Sequence, residues 1–179
     1  EHFKHIEKSY GLMVKALDQH HSTHDTYLKH RNNIAQKLLE VRFSTRQIEN
    51  LSENLRGRVE QIRRLEREIR DICLDRVRMD RDYFIEHFMP NATNLAWLEE
   101  EIGKNRVWSE TLARFKHDIL EKQAKMAELE AHARISIAEL KEISKNMVKS
   151  EKETAAAKQK MIQANLRLVI SIAKKYTNR

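Results

Sequence analysis

"STRQIENLSENLRGRVEQIRRLEREIRDI", residues 44–72, is the longest periodic run in the chain, and it decides the fold. Its apolar residues recur every three or four positions, as on one face of an α-helix. They are Ile48, Leu51, Leu55, Val59, Ile62, Leu65, Ile69 and Ile72. Ser44 and Gln47 have the spacing of a capping box, which marks a helix start. At about 1.5 Å per residue, the run predicts one helix roughly 45 Å long.

The rest of the chain predicts further helices with short irregular links. Three Gly and one Pro among 179 residues are too few for the turns of hairpin folds. The fold class is therefore all-α, a bundle of long amphipathic helices. A first helix is predicted over residues 1–19, and Ser22 or Thr23 can cap a second one. "DRDYFIEHF", residues 80–88, predicts a short helix that must end before Pro90.

The remaining boundaries are marked by capping residues. A short helix around Trp97 is predicted to stop at Gly103, a natural C-terminal cap. "VWSETL" leads into the next helix, which carries the apolar residues Leu112, Phe115, Ile119, Met126 and Leu129. Further capping boxes, Ser136 with Glu139 and Ser150 with Glu153, predict two more starts, so that the last helix runs from about residue 151.

The net charge of +7 is confined to the end of the chain. Residues 1–140 hold 24 basic and 24 acidic residues, whereas residues 141–179 hold ten and three. This concentration predicts a polyanion or an acidic partner at that end, with a solvated basic helix face as the alternative. "RRLEREIRD", residues 63–71, alternates in sign and predicts a solvated helix with i, i+4 ion pairs, not a nucleic-acid stripe.

Several classes of function lack sequence support. One cysteine, Cys73, forms no internal disulfide and is expected to pack as a small apolar residue in a reducing cytosol. His20 and His24 have i, i+4 spacing but no HExxH pattern, so ordinary surface histidines are favoured over a metal site. No catalytic grouping or glycine-rich phosphate loop is present, which predicts no enzyme and no cofactor. Trp97 and Trp108 are expected to be core anchors and not base-stacking platforms.

"ANLRLVISIAKKYTNR", residues 164–179, has a polar residue, Asn165, in the middle of a broad apolar arc. A core amide bonded to a backbone carbonyl is one explanation. The other is an amide at the lip of a pocket, which reads a base edge while Leu168, about 60° away, packs on the ring. Arg167, Lys174 and Lys175 form a polar, basic edge suited to phosphates.

Residues 157–179, "AKQKMIQANLRLVISIAKKYTNR", closely resemble the start of conserved region two of bacterial primary sigma factors, the sigma-seventy family. The preceding residues, from about 135, are similar to the family's lead-in, although Ser150-Glu151 replaces an expected Gly-Glu. Residues 1–134 resemble the helical, non-conserved insertion of such factors, through Cys73, Met79, "FIEHF", Trp97 and "WSETL". The chain is thus expected to be a fragment, incomplete at both ends.

The resemblance implies a bacterial, cytoplasmic subunit that binds core RNA polymerase and directs promoter recognition and opening. It implies that Asn165 and Leu168 line a pocket for a flipped thymine of the minus-ten element, on the non-template strand. Arg167, Lys174, Lys175 and Arg179 are implied backbone contacts. No membrane and no small-molecule substrate is expected. The rival hypotheses are a cytoplasmic helical scaffold with coiled-coil character and a metal-dependent helical enzyme.

Overall fold

The computed structural model describes residues 2–19 and 25–177, and within these ranges the chain is helical without any β-strand. The predicted all-α class is confirmed. The eight α-helices are α1 (His2–Gln19), α2 (Asp25–Leu39), α3 (Thr45–Asp71), α4 (Arg81–Phe88), α5 (Trp97–Gly103), α6 (Ser109–Arg114), α7 (Lys116–Ala133) and α8 (Ile137–Thr177). A π-helical turn, Ile72–Arg76, follows α3, and a 3₁₀ turn, Met89–Asn91, follows α4.

The chain divides into two compact units, Glu1–Glu53 and Asn54–Arg179. In the first unit α1 packs against α2, and Ala16 and Tyr27 are buried. The predicted helix over residues 1–19 is confirmed for His2–Gln19. The predicted caps Ser22 and Thr23, and the histidine pair, fall within residues 20–24, which lie outside the described ranges.

Helix α3 begins at its predicted capping box. The Ser44 hydroxyl accepts a hydrogen bond from the Gln47 N–H at 3.3 Å, and the Gln47 side chain accepts one from the Ser44 N–H at 3.0 Å. Only the second part of the predicted apolar stripe is buried. Ile48 and Leu51 are more than half exposed, whereas four later members of the stripe lie in the core of the second unit: Val59, Ile62, Leu65 and Ile69.

The short helices that follow α3 in the chain complete the core of the second unit. Asp80 caps α4 by accepting a hydrogen bond from the Tyr83 N–H at 2.9 Å. Phe84 stacks on Phe88 at 4.7 Å between ring centroids, and Phe88 meets the edge of Trp97 at 5.3 Å. Cys73 is fully buried in the π-helical turn, where burial raises the pKa of its thiol to about 12. The predictions of an apolar role for Cys73 and of a core role for Trp97 are confirmed.

Two predicted helix boundaries are wrong, whereas the predicted stop of the short helix near Gly103 is confirmed. Gly103 is the last residue of α5 and has no positive φ, so it is not a left-handed cap; the left-handed residue after α5 is Asn105, at 49°. Asn tolerates that conformation better than most residues with a side chain. The helix after "VWSETL" is two helices, α6 and α7, which meet at Phe115.

Ser150 accounts for the second error, because it lies inside α8 and does not cap a new helix. Its hydroxyl donates to the Asn146 carbonyl at 3.1 Å, the i−4 bond open to a serine within a helix. The true start of α8 is at Ser136, whose hydroxyl accepts a hydrogen bond from the Glu139 N–H at 3.2 Å.

The two serines give a matched test of this boundary. We expect Ser136→Ala to lower the free energy of unfolding by about 1 kcal/mol, since a backbone N–H loses its cap. Ser150→Ala should leave it within about 0.5 kcal/mol, because alanine suits a helix interior. Urea unfolding followed by circular dichroism measures both. An equal loss for the two variants would contradict a continuous α8.

One charged side chain, Glu101, is fully buried in the second unit. The Lys104 ammonium donates a hydrogen bond to the Glu101 carboxylate at 2.7 Å. The Tyr83 hydroxyl donates another hydrogen bond to the same carboxylate at 2.9 Å. The Arg106 guanidinium lies 4.3 Å from the Tyr83 ring centroid, and its Nε lies 3.9 Å from the Glu101 carboxylate. Burial works to raise the pKa of Glu101, but the hydrogen bonds from Lys104 and Tyr83 outweigh it and hold that pKa below the ordinary 4.5.

This balance predicts an acid-sensitive contribution to stability. Because the folded-state pKa of Glu101 is lowered, its contribution is complete above the ordinary 4.5 and is lost as the pH falls through the folded-state value. At neutral pH we expect Glu101→Gln to cost about 1–3 kcal/mol, and the difference from wild type should shrink below pH 4.5.

Urea unfolding at a series of pH values measures that difference. Glu110 is the control, since its carboxylate is 85% exposed and pairs only with Arg114 at the surface. We expect Glu110→Gln to cost less than about 1 kcal/mol at neutral pH. A gap between wild type and Glu101→Gln that stayed constant down to acid pH would contradict the prediction.

Candidate nucleic-acid interface

Helix α8 carries every predicted nucleic-acid-binding residue that the structure describes. Its first turns are held in the second unit, where Ile137, Leu140 and Ser144 are buried. Lys141 pairs with Glu66, and Glu151 accepts a hydrogen bond from Arg56 at 2.7 Å. From residue 149 to residue 177 every side chain of α8 is exposed. The helix is thus anchored at one end and presents a long free surface at the other.

Asn165 lies within this free surface and not in a core. It is exposed, as are the apolar side chains of the arc around it. Their exposed fractions run from 48% to 75%, for Met161, Ile162, Leu166, Leu168, Val169, Ile170, Ile172 and Tyr176. Among the described residues, therefore, no packed core surrounds the Asn165 amide.

Continuous helical geometry determines which candidate residues share a face of α8. Leu168 lies about 60° from Asn165 and about 4.5 Å further along the axis. Lys175 lies about 20° from Leu168 and about 10 Å beyond it. Arg167 and Lys174 project about 160–180° away from Asn165. A single ligand base can therefore touch Asn165 and Leu168, with Lys175 beside them, but not Arg167 or Lys174.

The same geometry identifies a residue that sequence reasoning missed. Lys158 precedes Asn165 by seven residues, lies about 20° from it around the helix, and is exposed. The i, i+7 spacing was the available signal. Lys158 and Lys175 thus lie before and after the Asn165–Leu168 pair along the chain, about 25 Å apart along the axis and about 100° apart around it. Arg179 lies outside the described residues, and nothing is assigned to it.

After Glu153 the charge of this surface is entirely of one sign. Between Thr154 and Thr177 the chain has five basic residues and no acidic one. They are Lys158, Lys160, Arg167, Lys174 and Lys175, and all are exposed. Such a field attracts polyanions at distances up to the Debye length, about 8 Å at physiological ionic strength.

Other chemistries find little support in the described parts of the chain. Among the side chains that the structure describes, in residues 3–16 and 25–177, no group of three or more His, Cys, Asp or Glu is placed to hold a metal ion. None of the helices described is both long and apolar enough to cross a bilayer. Trp108 is half-buried and packs against the core, as predicted, with the Arg106 guanidinium 5.6 Å from its ring centroid.

Comparison with known proteins identifies the class to which this chain belongs. Residues 1–130 match the family described as "Sigma-70, non-essential region". The match covers well over half of the chain, so the chain belongs to the sigma-70 family. It is 68% identical over 178 residues to the RNA polymerase sigma factor RpoD of Neisseria gonorrhoeae, across 99% of its own length. The chain spans 28% of that relative.

These findings confirm the resemblance to primary sigma factors and identify the chain as a fragment of one. The expectation that the chain is not an enzyme agrees with membership of this family. The identity extends past residue 130, where the family match ends, and so includes most of α8.

Proposed function

We propose that this chain is part of a primary sigma factor that binds core RNA polymerase and directs it to promoters in the bacterial cytoplasm. Residues 1–134 are the helical non-conserved insertion, and residues 135–179 are the lead-in and first helix of conserved region two. The observation that carries the proposal is the 68% identity to RpoD across 99% of the chain. Family membership also argues against the rival of a heptad-based scaffold.

The exposed face of α8 supplies the proposed contact with promoter DNA. The Asn165 amide has two donors and one acceptor group, enough to pair with the edge of one base. Leu168, one turn further, offers an apolar contact for the ring or for the methyl group of thymine. A flipped base of the minus-ten element, on the non-template strand, exposes both its edge and its ring to such a pair.

The basic residues take two different roles in this proposal. Lys158 and Lys175 lie on the Asn165 side and contact phosphates before and after the bound base. Arg167 and Lys174 project from the opposite side, so they contact another stretch of backbone and not the one beside the base. Arg179 is a further backbone contact that the family resemblance implies.

The rest of the apolar arc requires a cover. Val169 and Ile172 are 59% and 48% exposed. Such apolar side chains contribute to the stability of the fold only when they are removed from water. We place the remainder of the promoter-reading domain on this surface. The domain would then leave the Asn165–Leu168 pair at its edge, open to a base.

Co-purification with core RNA polymerase tests the assignment. The full-length protein that contains this chain, carrying an affinity tag, is expected to retain the polymerase subunits through a gel-filtration column. A tagged helical protein of unrelated sequence, at the same concentration, should retain none. Failure of the full-length protein to retain polymerase would overturn the proposed function.

A further inference from the structure

A groove of about 400 Å³ opens between α3 and α4 in the second unit. It lies outside α8 and takes no part in the proposed DNA contact. Its lining consists of an apolar floor and a charged rim: Arg63, Glu66, Arg67, Arg70, Leu74, Arg81, Phe84, Ile85 and Met89.

The floor is apolar and partly open to water. Phe84 and Leu74 belong to the core or pack against it. Ile85 and Met89 are 48% and 43% exposed, so each leaves about half of a large apolar side chain uncovered. Adjacent exposed apolar side chains in a concave site, with charged residues around them, are typical of a protein-binding surface.

The rim is basic, with four arginines and one glutamate. Arg63 and Arg81 have no carboxylate within 4.0 Å among the described residues. Arg67 contacts Glu60 at 2.7 Å and Arg70 contacts Asp71 at 2.7 Å, but both pairs are about half exposed. Exposed pairs of this kind contribute little, so either arginine can exchange its partner for an incoming carboxylate.

The basic rim depends on tertiary contacts, because basic and acidic residues alternate along the sequence of α3. Glu66 accepts a hydrogen bond from Lys141 of α8, and Glu68 accepts one from Lys122 of α7 at 2.6 Å. The hydrogen bond from Lys122 holds the pKa of Glu68 below its ordinary value. The two glutamates are thus neutralised by other helices, and the arginines that alternate with them are left facing the groove.

We propose that this groove binds an acidic, amphipathic segment of a partner protein. Carboxylates of the segment pair with the arginine rim, and one or two large apolar side chains cover Ile85 and Met89. Arg63 and Arg70 are about 10 Å apart along α3, which matches two turns of a bound helix. A nucleic-acid backbone would satisfy the arginines but would leave the apolar floor exposed, so a protein segment fits better.

Selection from a random peptide library tests the proposal on the full 179-residue chain. Displayed peptides of about 12 residues, roughly three helical turns, are selected on the wild-type chain. We expect the enriched peptides to carry net negative charge together with one or two Leu, Ile, Phe or Met residues. Synthetic copies are then measured by fluorescence anisotropy.

Matched variants locate the binding site. Arg63→Glu/Arg81→Glu is expected to weaken binding at least about tenfold, because the carboxylates then meet like charge. Ile85→Ser should weaken it several-fold. Arg58 projects about 140° away from Arg63 around α3 and does not line the groove, so Arg58→Glu should change affinity less than about twofold. All these side chains are exposed, and thermal unfolding checks that each variant folds.

Three results would overturn the proposal. The first is that no peptides are enriched, or that the enriched ones have no excess of acidic residues. The second is equal binding by wild type and Arg63→Glu/Arg81→Glu. The third is displacement of the peptides by single-stranded DNA of about 12 nucleotides, with the same dependence on the variants, which would make the groove a nucleic-acid surface. None of these results bears on α8 or on binding to core polymerase.

Discussion

Phe88→Ala is expected to lower the free energy of unfolding of the second unit by about 3–5 kcal/mol. Phe88 is fully buried. Its ring stacks on Phe84 and receives the edge of Trp97, so its removal leaves a cavity where three aromatic rings meet. Urea unfolding measures the loss, with tryptophan fluorescence as the signal, because Trp97 lies beside the cavity.

Ile85→Ala is the matched control for this prediction. Ile85 is on the same helix, but 48% of its side chain is exposed, so little apolar contact is lost. We expect its cost to stay below about 1 kcal/mol, typical of a surface substitution outside special sites. A Phe88→Ala variant no less stable than Ile85→Ala would mean that α4 does not pack into the core as described.

Asn165→Ala is expected to weaken binding of the minus-ten single strand by the full-length protein in complex with core polymerase. A side-chain amide paired with a base edge contributes about 1–3 kcal/mol of discrimination, which corresponds to about 5- to 150-fold in affinity. The residue is exposed, so the substitution leaves the helix intact and removes only the contact. Fluorescence anisotropy with a labelled non-template strand measures the change.

Gln163 offers the control, since it carries the same kind of amide on α8 but points about 160° away from Asn165. We expect Gln163→Ala to bind the strand as wild type does. Replacing the flipped thymine by another base should weaken wild type strongly and Asn165→Ala little, because only wild type reads that base. Equal losses from the base change in wild type and Asn165→Ala would contradict the proposed role of Asn165.

Sequence patterns predicted helix starts correctly where the residues that form the cap are close together in the chain. The capping boxes at Ser44 and Ser136 are confirmed because the capping side chain and its N–H partner are three residues apart. The same pattern failed at Ser150, which lies within α8. A serine within a helix has a second option, the i−4 bond that Ser150 donates to the Asn146 carbonyl, and the local sequence does not distinguish the two.

The candidate site was predictable in part. The pairing of Asn165 with Leu168 depends only on helical spacing, and the uninterrupted α8 preserves it. The grouping of Arg167, Lys174 and Lys175 as one basic edge stays a prediction, in which Lys175 lies nearest to Leu168, about 20° away around the helix. The family resemblance, and not the spacing, supplied the thymine and the polymerase, and those assignments remain proposals.

By itself, the sequence determined the all-α class, most of the helix starts and the basic exposed surface of α8, because each depends on residues within a few turns of one another. Only the tertiary structure decided where the charges of α3 point. "RRLEREIRD" alternates in sign along the chain, yet Glu66 and Glu68 are neutralised by Lys141 and Lys122, which lie 75 and 54 residues away. No local pattern contains those lysines, so the arginine-lined groove exists only once the helices have packed.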